Sequence, residues 1–186
     1  MIMFKKLLIA TALCASFSAM ADDSFTLKVK GVENGKFQNK HLLSAEYGFG
    51  CAGENISPEI EWKNAPKGTK SFVLTVYDKD APTGLGWVHW EVVNIPANVS
   101  KLPAGIDAKD NNLPKGALQT RTDFGVPGYG GACPPENEKH RYEFTLTALK
   151  VEQLPNVTAD STPALVGFFT NANAIAKAQV TVETAR

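Results

Sequence analysis

Ser71 to Tyr77 reads SFVLTVY, His89 to Ile95 reads HWEVVNI, and Arg141 to Leu149 reads RYEFTLTAL. Each run is short and dense in β-branched and aromatic side chains, the composition of strands that pack on a core. Phe25 to Val29 alternates apolar and polar residues as a half-buried strand does, and Ala178 to Glu183 (AQVTVE) reads as a last strand. The segments between them, Glu46 to Pro58, Asp80 to Gly86 and Phe124 to Asn137, are rich in Gly, Pro and Asn and read as loops. One stretch reads as a helix, from Thr162 to Lys177. Thr162 can cap it, Pro163 suits the first helical position, and Leu165, Val166, Phe168, Phe169, Ala172, Ile175 and Ala176 supply apolar contacts. Many strands and one late α-helix predict a mainly β fold, an antiparallel β-sandwich with Greek-key links.

Outward from these strands, the N-terminus is a different kind of sequence. Lys5 and Lys6 precede an apolar run from Leu7 to Phe17, and Ala19-Met20-Ala21 has the small-x-small form of a cleavage site. Residues 1–21 are therefore expected to be a signal peptide and 22–186 one domain, exported to the periplasm or secreted. The run is well short of the ~20 residues that span a bilayer, and no later segment is apolar enough, so no transmembrane segment is expected. Cys14 follows bulky Leu13 inside the apolar run, which does not suit lipoprotein processing.

The full chain balances 19 basic against 19 acidic residues. Loss of Lys5 and Lys6 takes it to about −2, with no basic stripe for nucleic acid. Cys51 and Cys133 are the two cysteines of the mature chain, and in an oxidising compartment an even count favours a disulfide. It would close a loop of about 80 residues and contribute roughly 4.5 kcal/mol in the chain-entropy treatment.

Several motifs lead nowhere. Gly48 to Gly53 has the spacing of a dinucleotide-binding turn, but Glu54-Asn55-Ile56-Ser57-Pro58 is turn chemistry and no helix can follow. The chain has no G-x-S-x-G, C-x-x-C or H-E-x-x-H. The N-x-S/T triplets at Asn55, Asn98 and Asn156 are of a kind that arises often by chance.

What remains is a set of ionisable residues at strand ends. Asp78 closes one core strand, and His89 and His140 open or immediately precede two others. Three such residues could meet at one end of the fold, where binding loops cluster. Equally, a histidine beside Trp90 could be a satisfied core residue, and His140 a solvated neighbour of Lys139 and Arg141. His41, in a polar stretch after Asn39 and Lys40, is expected to be exposed.

Asp78-Lys79-Asp80-Ala81-Pro82, Gly86-Trp87-Val88-His89-Trp90, Gly131-Ala132-Cys133-Pro134-Pro135 and His140-Arg141-Tyr142, in this order, resemble the signature of the phosphatidylethanolamine-binding, or Raf kinase inhibitor-like, family. Asn55 to Trp62 (NISPEIEW) is also similar, and the closest likeness is to the exported bacterial branch. The resemblance implies a metal-free pocket for a small anion such as phosphate, phosphorylethanolamine or acetate, or for a phospholipid head group, without a cofactor or catalysis. Asp78, His89 and His140 would form its polar floor. Ala81, Pro82, Trp87, Tyr142 and the loop Gly131, Ala132, Cys133, Pro134 and Pro135 would supply walls and backbone donors.

Three departures from the eukaryotic pattern stand out. Lys79 replaces a proline and is expected to add a cation near the mouth. The loop Glu136 to Lys139 is short and charged. Little chain follows the last strand, which leaves no room for a further C-terminal helix. Kinase inhibition is therefore not implied. Two other function classes compete with a binding protein: an inhibitor or host-directed factor acting on an unidentified protease, kinase or receptor, and a hydrolase holding a metal on Asp78, His89 and His140. An exposed sheet face could support a homodimer.

Overall fold

The computed structural model describes residues 24–186. The expected signal peptide, with Cys14, lies outside them. The strands are β1 (Thr26–Val29), β2 (Val32–Glu33), β3 (Lys36–Phe37), β4 (Ile60–Lys63), β5 (Ser71–Asp78), β6 (Trp87–Pro96), β7 (Lys101–Leu102), β8 (Leu118–Gln119) and β9 (Lys139–Leu149). The helix α1 (Pro163–Asn173) and the strand β10 (Ala174–Ala185) follow. All strand pairing between these elements is antiparallel. One sheet has the order β10-β9-β5-β6-β8, a second β1-β4-β7, and β2 pairs with β3. The expected mainly β, antiparallel fold with one α-helix is present among the described residues.

Alternation along the strands decides which side chains meet. Phe72, Leu74 and Val76 of β5, Phe144, Leu146 and Ala148 of β9, and Trp90 and Val92 of β6 share one buried cluster with Leu27, Ile60 and Trp62 of the three-stranded sheet. Each large side chain so buried contributes about 1.5–3 kcal/mol. The indole N–H of Trp90 donates to Gln119 Oε1 at 2.6 Å, so its one polar atom is satisfied within the core. On the other face of the large sheet, Val73, Val93 and Leu149 pack with Leu154 and with Val166 of α1.

The helix starts as expected, with Leu165 N–H donating to the Thr162 hydroxyl and Pro163 in the first position. It does not reach Lys177. Ala174 is extended (φ −67°, ψ 138°), and the chain from there pairs with β9 along its whole length. The apolar residues Ile175 and Ala176 suited a helix, but a long edge ladder satisfies the backbone there and overrides local propensity. The last strand is correspondingly longer than Ala178 to Glu183.

His41 is buried, against expectation. A 3-10 turn over Asn39–His41 directs its side chain inward, where it packs edge-on near Phe37 and its Nδ1 lies 2.6 Å from Ile56 O. Gly31, at φ +72°, closes over the ring: a Cβ there would lie 2.2 Å from His41 Nε2. Burial lowers the pKa of this histidine from its usual value.

Glu91 faces the opposite side of the large sheet from Trp90 and is buried, accepting from the hydroxyls of Thr120 (3.0 Å) and Thr75 (3.3 Å). Burial pushes its carboxyl up to about 8. A carboxyl raised in the folded state binds a proton that the unfolded chain has lost, so stability falls as pH rises from the normal carboxylate range toward 8. Glu91→Gln is expected to unfold at higher urea than the parent, with the gain growing between pH 5 and pH 8. Equal midpoints at both ends of that range would refute the assignment.

Candidate functional site

Asp78 is the last residue of β5 and faces the same side as Val76. Its partner on β9 is Tyr142, so His140, two residues earlier on that strand, projects from the same face beside it. His89 reaches the site by a different device. Val76 pairs with Trp90 and Tyr77 with Val88, which leaves His89 as an extra residue in β6. Strict alternation would place His89 on the face of Glu91, opposite Trp90. The bulge turns it toward Asp78 while Trp90 stays in the core.

The three side chains do meet. His140 Nδ1 lies 2.7 Å from Asp78 Oδ2, and His89 Nε2 lies 4.0 Å from the same oxygen. Asp78 Oδ1 accepts from Asp80 N–H at 3.0 Å. His89 Nδ1 donates to Gly130 O at 2.9 Å, which leaves Nε2 as the atom turned toward the carboxylate. All three residues are buried, which overturns the solvated alternative for His140.

Their electrostatics differ. Burial holds His89 below the usual histidine value, against the pull of the Gly130 carbonyl and the Asp78 charge. Burial also works against a proton on His140, but hydrogen bonds to Glu138 and Asp78 outweigh it and raise the value. The Glu138 bond, Nε2 to Oε2 at 3.0 Å, comes from the charged loop just before the strand. His140 therefore stands between two carboxylates.

These residues floor a cavity of about 180 Å³. Of the expected walls, Ala81, Pro82, Trp87, Cys133 and Pro135 line it, while Gly131, Ala132, Pro134 and Tyr142 do not. Tyr142 packs edge-on behind His89, with ring centroids 5.1 Å apart. Of the expected backbone donors, Gly131 N–H is engaged elsewhere: it donates to Asn55 Oδ1 at 2.7 Å. Gly131 instead permits close passage of the chain, since a Cβ there would lie 2.4 Å from the backbone of Leu42.

Leu43, Phe49, Thr83 and Phe124 line the cavity and were not foreseen. Phe124 makes edge contacts with Trp87 and His89, so the wall is largely aromatic. A signal existed for Phe49, one residue from a glycine in a loop already marked by Cys51, but none for Leu43.

Lys79 pairs with Glu143 at 2.5 Å and does not line the cavity. Arg141 grips Asp80 through Nε (2.8 Å) and Nη2, and its hydrogen bonds hold that carboxyl down at about 2. This fastens the loop that carries Ala81 and Pro82. The expected disulfide joins Cys51 to Cys133 (S–S 2.04 Å), and Arg186 Nη1 lies over both sulfurs and donates to Phe49 O at 3.0 Å. Among the described residues, no three or more His, Cys, Asp or Glu side chains are disposed to hold a metal ion. No helix among them is long and apolar enough to cross a membrane.

Residues 33–185 match the family model described as phosphatidylethanolamine-binding protein. The UPF0098 protein YbcL of Escherichia coli is 49% identical over 181 residues, covering 95% of this chain and 96% of that one. The UPF0098 protein YbhB of the same organism is 48% identical over 146 residues, covering 78% and 90%. The crystal structure of E. coli YbcL, described as a new member of the mammalian PEBP family, superposes with a TM-score of 0.82 at 47% identity. It covers 87% of this chain and 98% of that one. A Chlamydia trachomatis homologue, CT736, gives 0.67 at 28% identity, covering 89% and 99%.

Proposed function

Because the chain belongs to the phosphatidylethanolamine-binding protein family, we propose that it is an exported, non-enzymatic binding protein whose cavity takes a small anion or phospholipid head group. The observation that carries this reading is the His140–Asp78–His89 cluster at the bottom of an aromatic-walled cavity. An oxyanion arriving there would accept from His89 Nε2 once that nitrogen is protonated, and from His140 Nε2 in place of Glu138. The wall of Trp87, Phe124 and Pro82 would cover an alkyl portion and exclude water, which strengthens the charged contacts.

Binding rather than turnover is supported by what surrounds the cluster. Both imidazole nitrogens of His140 face carboxylates, which does not free either one to activate a nucleophile. The Thr83 hydroxyl donates to Gly86 O at 2.7 Å and accepts from Leu85 N–H, so it serves its own turn. Export is supported by the leader pattern of residues 1–21 and by the compartment in which a disulfide persists. Cell fractionation would test it, and retention of an unprocessed chain in the cytoplasm would contradict it.

The binding test is calorimetric titration with inorganic phosphate and with phosphorylethanolamine between pH 5 and pH 8. Because burial holds the His89 value below its usual range, the uptake of a solvent proton that accompanies anion binding becomes easier as pH falls, and affinity is expected to rise on the acid side. Flat affinity across the range would sink the proposal. A tighter complex with phosphorylethanolamine than with phosphate would identify the head group as the better fit.

Glu138→Gln is expected to bind phosphate more tightly, by up to about tenfold. The substitution removes a carboxylate that competes for His140 Nε2, and a charged hydrogen bond is worth roughly 1.5 kcal/mol. Weaker binding in this variant would mean that Glu138 belongs to the ligand site instead of obstructing it.

A further inference from the structure

We propose that the opposite face of the large sheet carries a second binding site, a cavity between α1 and strands β5, β6 and β9 that takes the ammonium group of a small primary amine. This cavity measures about 210 Å³. It lies on the face of Glu91, away from Asp78 and the histidines.

Cross-strand register builds its floor. Glu91 stands opposite Thr75, and Thr75 opposite Thr145, so a carboxyl and two hydroxyls form a row across three strands. Thr147 lies on the same face of β9, and Thr170 descends from α1. The neighbouring positions on this face, Val73, Val93 and Leu149, are apolar and closely packed under Val166. Polar residues therefore occupy a patch that the fold could have filled with aliphatic side chains, at a desolvation cost that calls for partners.

Those partners are incomplete. Glu91 is 2% exposed, and among the described residues its carboxyl accepts from the hydroxyls of Thr75 and Thr120. Thr170 is 6% exposed and its Oγ1 has no hydrogen-bond partner. Lys177, the cation at the mouth, is tied to Asn171 Oδ1 at 2.9 Å. A buried carboxyl surrounded by hydroxyl oxygens lacks a donor-rich cation. A primary ammonium offers three N–H donors and one positive charge, matching Glu91 and two hydroxyls together. An anion would meet the Glu91 carboxyl, with Asp123 adding to the negative field.

Gly167 keeps the space open. It stands in the interior of α1, where glycine costs about 1 kcal/mol relative to alanine. Its φ is not positive, and a Cβ there would meet nothing within 4 Å. Neither backbone conformation nor close packing requires glycine at this position, which lines the cavity.

The test is a nitrogen-15 NMR titration at constant ionic strength, at a fixed pH above the Glu91 value of about 8, with methylammonium chloride against tetramethylammonium chloride, which has no N–H donors. Saturable shifts at the amides of Thr75, Glu91 and Thr170 are expected with methylammonium alone. Glu91→Gln should weaken binding by about tenfold or more, and Gly167→Leu, which improves helix propensity, should abolish it. The proposal fails if wild-type protein gives no saturable shift, if tetramethylammonium acts equally, or if Glu91→Gln binds as well. The comparison of the two cations in wild-type protein decides the matter even if a variant does not fold. Shifts confined to the Asp78 and His140 region would assign the amine to the other cavity and overturn this one.

Discussion

Cys51→Ala combined with Cys133→Ala is expected to lower the unfolding free energy by about 4 kcal/mol and the melting temperature by roughly 10 °C. The bridge spans a sequence separation of 82, so its loss returns a large loop to the unfolded ensemble. The alanines also leave Arg186 without the sulfur surface it covers, although its bond to Phe49 O can persist. Cys133 lines the cavity and the bridge ties its loop to the segment of Phe49, so the wall should loosen together with the fold. Urea unfolding of the double variant, beside wild-type protein with and without reductant, measures the effect. A loss under about 1 kcal/mol would mean that the unfolded chain is already compact in this region, or that native contacts outside the bridge hold the two loops together.

His140→Ala is expected to cost about 3–5 kcal/mol of stability and to abolish phosphate binding. Asp78 is 3% exposed; among the described residues its carboxylate accepts from His140 and from the backbone N–H of Asp80, with His89 Nε2 4.0 Å away. Removing the imidazole leaves a buried carboxylate without a cation, and this orphaned charge carries most of the expected cost. The double variant Asp78→Asn with His140→Gln should therefore recover part of the loss, because neither charge is then stranded.

The pH dependence has a defined sign. His140 has a folded-state value above its ordinary one, so its contribution is fully present below about pH 6.5 and disappears as pH rises through the folded value. The gap between wild type and His140→Ala should be wider at pH 6 than at pH 9. A gap that widens with pH would mean that His140 is held neutral in the folded protein.

Much of this site could be read from the chain, within definite limits. Asp78, His89 and His140 were legible because each sits where a strong strand pattern meets a loop, and the four ordered motifs tied them together. The bulge that aims His89 was not legible, because it exists only in the pairing of β6 with β5. Nor was the role of Glu138, whose carboxylate matters only because β9 brings His140 under it. His41 looked exposed beside Asn39 and Lys40, yet one 3-10 turn buried it beneath Gly31. Arg186 gave no sign of its position over the bridge.

By itself, the sequence determined the strands β1, β5, β6, β9 and the end of β10, the start of the helix at Thr162 and Pro163, the two cysteines able to pair, and the order of the site motifs. Each of these follows from side-chain periodicity, backbone chemistry or composition within a short window. The short strands β2, β3, β4, β7 and β8 carried no clear pattern. Tertiary structure alone decided where the helix stops, which wall residues face the cavity, and the charge partners of each histidine. Those depend on strands joining across separations such as the 62 residues between Asp78 and His140. Register and bulges along such pairings, not local propensity, choose the face on which a side chain lies.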